Sequence, residues 1–232
     1  MNIVVFGANG QTGQLLTKQA VDLGYRVTAV TRHPEAFPLH HEQVQVLRGD
    51  VFDLADVQRA VAGQDAVLSS LGVPYSFKPI TLYSQGMAHI VQAMARSGVR
   101  RLVCVSSSAT DPHETGGGFL LDHILQPLII ATLGRTMYAD MKRMETLVSN
   151  SQLDWTIVRS NGLFETEAVT DYQLAEEQIR GIFTSRADLA NCMLHQLTTD
   201  QYVHKIVAIA TVEGTPNFLA FFRKEAFKRK AA

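Results

Sequence analysis

Residues Gly7-Ala8-Asn9-Gly10-Gln11-Thr12-Gly13 follow directly on the apolar run Ile3-Val4-Val5-Phe6. A buried strand that turns through three glycines into a helix is suited to holding two linked phosphates. Gly7 permits the tight turn, Gly10 lets backbone approach an anion without a Cβ in the way, and Gly13 lets helix and strand pack closely. The helix opening at Gln11 and Thr12 turns its unpaired N–H groups and positive dipole end toward the phosphates, with Asn9 inside the turn. The spacing is G-x-x-G-x-x-G rather than the usual G-x-G-x-x-G, and a plain strand-to-helix turn is the competing reading. The context favours a coenzyme. Apolar Leu15, Leu16, Ala20, Val21 and Leu23 continue the helix, Gly24 stops it, and a second strand, residues 26–30, completes a β-α-β unit.

The end of that second strand selects the coenzyme. An acid there would accept from the adenosine ribose 2′-OH and repel a 2′-phosphate. Here the strand ends Thr31-Arg32, and the next carboxylate is Glu35. The planar fork of Arg32 suits a 2′-phosphate, so NADP(H) is expected over NAD(H), although a solvated surface arginine reads the same way.

Two further elements could act on a small-molecule substrate. The serine run Ser106-Ser107-Ser108 closes an apolar strand, and Ser107 could orient a carbonyl. Tyr138 and Lys142 stand four apart on one helix face. A phenol can deliver a proton to a reduced oxygen, and a nearby ammonium stabilises the phenolate.

These groups need a scaffold. Apolar runs at 44–47, 66–70, 101–106, 155–159 and 206–210 read as further strands, with helices over about 54–62 and 82–97, the latter stopped by Gly98. Such alternation predicts an α/β fold: a doubly wound parallel sheet in a single domain with a small substrate lobe. Ligands then gather at the C-terminal strand ends, which adds Asp50, Val51, Leu71, Gly72, Ser106 and Arg159 to the candidate coenzyme contacts. Asp50 could accept from the adenine amino group with Val51 over the ring, or could be a turn or capping residue. Residues 110–136 pass through Gly116-Gly117-Gly118 into an apolar stretch and read as a lid over the substrate pocket, or else as a dimerisation helix or core. Residues 211–232 are expected to end in an amphipathic helix, with Phe218, Leu219, Phe221, Phe222 and Phe227 among Arg and Lys, packed on the body of the protein.

The 232 residues carry a net charge of −1, which gives no electrostatic reason to expect nucleic acid or an anionic membrane as partner. Cys104 and Cys192 lie in apolar segments and read as buried thiols, and the eight histidines show no metal-ligand spacing. No metal is expected, and the oligomer could be monomer or homodimer. The chain enters its first strand at once and has no membrane-length apolar run, so a cytoplasmic protein without a leader is expected.

Taken together, GANGQTG, GYRVTAVTR, GDVFDLADVQRAVAGQDAVLSSLG, VRRLVCVSSSA, YADMKRMETLVSNSQLDWTIVRSNGL and TSRADLANCMLHQL resemble the short-chain dehydrogenase/reductase superfamily in its atypical branch. The likeness is to NmrA-like NAD(P)-binding proteins and to biliverdin-IXβ reductase/flavin reductase. It implies a Rossmann-type core, NADPH with Arg32 near the 2′-phosphate, and a shallow pocket above the nicotinamide. It implies too that Ser107 matches the serine beside the nicotinamide in the flavin/biliverdin reductases, whereas Tyr138 and Lys142 match the catalytic pair of ordinary members. Ser160 stands where many relatives have proline. The implied function is an NADPH-dependent reductase passing hydride to a flavin, biliverdin, quinone or carbonyl; the alternative is a non-catalytic sensor of the NADP(H) state.

Overall fold

Apolar segments buried on both faces dictate the centre of this molecule. In the computed structural model, which describes residues 1–112, 115–132 and 134–217, β1 (Asn2–Phe6), β2 (Arg26–Thr31), β3 (Val44–Arg48), β4 (Ala66–Ser69), β5 (Arg101–Ser107) and β6 (Asp154–Ser160) pair in parallel in the order β3-β2-β1-β4-β5-β6. The chain fills one half of the sheet outward from β1, then crosses to β4 and fills the other. Such a reversal opens a crevice beyond the carboxyl end of β1.

Alternation along the strands sends side chains to two cores. Val4, Phe6, Leu102, Cys104 and Ile157 meet α2 (Leu54–Val61), α3 (Leu82–Ser97) and α5 (Arg135–Ser149) on one face. Ile3, Val5, Val103 and Val158 meet α1 (Gln11–Asp22) and α6 (Arg186–His195) on the other. The two thiols fall on opposite faces, both buried, and burial pushes Cys192 up to about 12. The helix ends follow local chemistry: Gly98 closes α3 at φ +72°, and the Asp53 carboxylate caps α2 by accepting from the amides of Ala55 and Asp56.

The strand expected at 206–210 is β10 (Lys205–Thr211), parallel to β6; beyond the expected strands, the sheet carries an antiparallel edge strand, β8 (Tyr172–Glu176). A separate parallel pair, β7 (Gly162–Phe164) with β9 (Phe183–Ser185), forms the small appended piece. These additions depart from the wholly parallel sheet expected from the strand-helix alternation. They are three to five residues long and only partly apolar, too short for periodicity to register. At the other end, Thr211 closes β10 and residues 212–217 are not helical. The rest of the expected C-terminal helix lies outside the described residues. Within the 110–136 segment, α4 (Gln126–Ala131) follows a π-helical turn, Leu121–Leu125, and Leu120, Ile124 and Leu128 are exposed along it.

One long-range cap joins the helices of the first face. Thr81 occupies the N-cap position of α3 but makes no side-chain cap. Asp140 of α5, wholly buried, accepts instead from the amides of Tyr83 (2.9 Å) and Ser84 (3.2 Å), from the Ser84 hydroxyl, and from Arg143. Asp140→Ala should therefore destabilise the protein by about 2–3 kcal/mol, because charged acceptors are lost from buried donors. Thr81→Ala should cost less than about 0.5 kcal/mol. Urea unfolding measures both, and equal losses would refute the assignment of the cap to Asp140.

Candidate functional site

The glycine turn is built as tightly as its sequence demands. Gly7 sits at φ +79°, and a Cβ there would lie 2.7 Å from the Ser70 carbonyl oxygen at the end of β4. A Cβ on Gly13 would lie 2.2 Å from the carbonyl oxygen of Gly7. Both glycines are required by the packing of β1, α1 and β4. Gly10 is less tightly walled: the nearest atom to a Cβ would be the Gly7 carbonyl oxygen at 3.3 Å, which would have to give by only a few tenths of an ångström. What that glycine leaves open is approach from outside, above the start of α1, where no side chain caps the helix. A bare helix N-terminus walled by glycine fits a pyrophosphate.

Other candidates gather along the same edge of the sheet. Leu71 abuts Gly7, with its backbone nitrogen 2.9 Å from the position of a Gly7 Cβ, and Gly72 follows it. Asn9 is steadied by Gln14, whose amide donates to the Asn9 carbonyl at 3.0 Å. Arg32 follows β2, the strand beside β1; it is exposed and has no partner among the described residues. The carboxylate that could have opposed it, Glu35, is taken by His33 (3.2 Å) and Arg48 (3.3 Å). Asp50 accepts from the amide of Phe52 at 3.0 Å, a turn-forming role, and Val51 is buried against Gly86 and accepts from His89 through its carbonyl.

Two residues of the cradle reach partners that local sequence could not reveal. Gln11 donates to Glu165, just past β7, at 2.8 Å, and Arg186 at the head of α6 donates to the Thr12 hydroxyl at 3.3 Å. Arg186 thus brings a cation to the first turn of α1 from 174 residues away.

The candidates for substrate chemistry separate. Ser107 is half-buried, and its oxygen accepts from the Ala109 amide at 3.2 Å, leaving its own O–H to donate. Ser106 is buried and donates to Glu145 at 2.8 Å. Tyr138 packs its ring over Gly134 and shares a hydrogen bond of 2.7 Å with the Tyr75 hydroxyl. Burial pushes the Tyr138 phenol far above the ordinary tyrosine range, with Tyr75 and Tyr83 adding to the shift. Lys142 lies 3.4 Å from Glu145.

Arg159 was expected at the coenzyme, but its guanidinium is only 3% exposed and is fully engaged. Nε and Nη2 donate to the two oxygens of Glu145, each at 2.9 Å, and Nη1 donates to Asp111 (3.1 Å) and to the Glu177 carbonyl (3.4 Å). Thr110 adds a hydroxyl to Glu145 at 2.9 Å. Burial alone would raise the Glu145 carboxyl, but the bonds and charge of Arg159, with the two hydroxyls, outweigh it and hold it below the ordinary range. Glu145 was legible only as a second acid, after Asp140, on the face where Met137, Met141, Met144 and Val148 bury α5. Acids on an apolar stripe demand buried partners.

Comparison with known proteins agrees with this geometry. Residues 7–200 match the family model described as NAD(P)H-binding. An uncharacterised chloroplastic protein of Arabidopsis thaliana is 30% identical over 171 residues, covering 69% of this chain and 59% of that one, so the match spans less than two thirds of the relative's length. Among solved structures, a short-chain dehydrogenase/reductase from Veillonella parvula in complex with NADP superposes with a TM-score of 0.76 at 22% identity, covering 94% of this chain and 99% of that one. ChuY, an anaerobillin reductase from Escherichia coli O157:H7, gives 0.72 at 22%, covering 94% and 100%. With the strand order 3-2-1-4-5-6 and a cradle that only glycine can build, the chain belongs to the NAD(P)H-binding family of Rossmann-type proteins.

Proposed function

We propose that this protein is an NADPH-dependent reductase whose acceptor is a flat conjugated molecule such as a flavin, a linear tetrapyrrole or a quinone. The observation that carries the reading is the pairing of an uncapped, glycine-walled helix start with an uncommitted arginine one strand away. The amides at the head of α1 and the Arg186 guanidinium would hold the pyrophosphate, and Arg32 the 2′-phosphate. When bound, the reduced nicotinamide supplies a hydride. Ser107, with a free O–H at the end of β5, would orient the acceptor. Hydride transfer to a conjugated ring depends on close, aligned contact more than on a strong acid. This suits a site in which the Tyr138 hydroxyl is shared with Tyr75 and Lys142 is drawn to Glu145. Reduction of a simple carbonyl, which wants a proton donor, is the less favoured chemistry.

A second reading, a protein that senses the NADP(H) state and passes it to a partner, draws on the exposed stripe of Leu120, Ile124 and Leu128.

Arg32→Ala should weaken NADPH binding about tenfold or more, the loss of one charged hydrogen-bonding group, while NADH binding changes less than about twofold. Titration of coenzyme fluorescence measures both, and equal weakening would remove the NADP(H) assignment. In steady-state assays with FMN, biliverdin, quinones and aldehydes, Ser107→Ala should lower acceptor turnover by about tenfold with the NADPH Kd unchanged. Tyr138→Phe should remain near wild type for the flat acceptors. Loss of aldehyde turnover in Tyr138→Phe would redirect the protein to carbonyl chemistry, and tight NADPH binding without any turnover would favour the sensor.

A further inference from the structure

A buried, heavily bonded pair of charges lies beyond β5, on the side of the sheet where the proposed acceptor would sit. Glu145 and Arg159 are each about 3% exposed and meet through two parallel bonds of 2.9 Å. From this pair, bonds run outward to four pieces of chain that meet beyond β5. Glu145 receives the hydroxyls of Ser106, the penultimate residue of β5, and of Thr110, which closes the short helical turn after it. Arg159, in β6, holds Asp111 at the root of the 110–136 segment and the carbonyl of Glu177 just after β8. Gln178 reaches Asp111 from the same side at 3.4 Å. Ser107 is bracketed by these bonds: Ser106 precedes it, and Thr110 donates to the Ser107 carbonyl at 2.8 Å through the hydroxyl that also meets Glu145.

A fold that needed only cohesion could fill this space with apolar side chains, since a buried ion pair is commonly no more stabilising than a hydrophobic pair of similar volume. What the ion pair adds is direction. Two planar groups in register admit one relative orientation, and Oε1 of Glu145 also accepts from the Ser106 and Thr110 hydroxyls.

We propose that Glu145 and Arg159 are positioning residues for the reductase reaction: their buried pair sets the height and orientation of the Ser107 turn against which the acceptor lies. The inference rests on the reductase reading. Neither side chain touches substrate or coenzyme; both act through Ser106, Thr110 and Asp111. Lys142, drawn toward Glu145 from outside, belongs to the same cluster.

The test is the double variant Glu145→Leu/Arg159→Met, an apolar replacement of the pair. It should melt close to wild type and bind NADPH with a Kd within about twofold, because the cradle at Gly7 to Gly13 is built by other contacts. Hydrogen exchange at the Ala109 and Asp111 amides should quicken at least tenfold relative to the sheet core, and kcat with FMN should fall about tenfold with little change in NADPH affinity. Glu145→Gln, which keeps an acceptor oxygen for Ser106 and Thr110, should recover much of both. If the double variant fails to fold, Ser106→Ala/Thr110→Val leaves the ion pair in place and cuts its links to the turn, and should give the same exchange signature. A folded variant of either kind with wild-type exchange at Ala109 and Asp111 would overturn the proposal. Failure of the wild-type protein to bind NADPH would instead overturn the reductase reading, so the two failures are distinguishable.

Discussion

The architecture depends on a distance of closest approach. The carbonyl of Gly7 stands where the first atom of any side chain at residue 13 would go, and the carbonyl of Ser70 stands nearly as close to residue 7. Strand β1, the start of α1 and the end of β4 therefore meet at backbone separation, with no side chains between them. That contact brings the first helical amides to the mouth of the crevice where the sheet reverses direction. Any residue larger than glycine at either point must push α1 outward and take the amides with it. The fold and the coenzyme site are in this sense one constraint: what lets the helix pack on the strand also leaves its positive end bare.

The far half of the sheet answers to a different force. Beyond β5, close packing gives way to charge, and burying Glu145 and Arg159 is tolerable only because each donor and acceptor finds a partner. Truncating one member to an apolar side chain would leave the other poorly compensated, at a cost of about 3–5 kcal/mol. The two regimes divide the labour of the site. Backbone geometry holds the part of a ligand that carries phosphate, whereas a hydrogen-bonded ion pair sets the wall where an acceptor would rest.

The same division explains what could be read from the chain without its structure. Strands β1 to β6 and β10 are apolar runs bounded by turn residues, and helix α3 ends at a glycine in the left-handed conformation. Such features are local, so periodicity and punctuation reveal them. Strands β7, β8 and β9 are short, and β8 owes its existence to the free edge of β10 rather than to its own composition. No local pattern announces a strand made by its neighbour.

Sequence by itself determined the glycine cradle, the absence of an acid after β2 and the serine at the end of β5, because each follows from what one residue type permits at one place. Tertiary structure decided the partners. It turned Arg159 inward to Glu145, gave the Tyr138 hydroxyl to Tyr75, supplied the cap of α3 from Asp140 on another helix, and brought Arg186 to the first turn of α1. A long polar side chain takes whichever partner the packing leaves within reach, and that choice is made only when segments remote in the chain are brought within about 3 Å of one another.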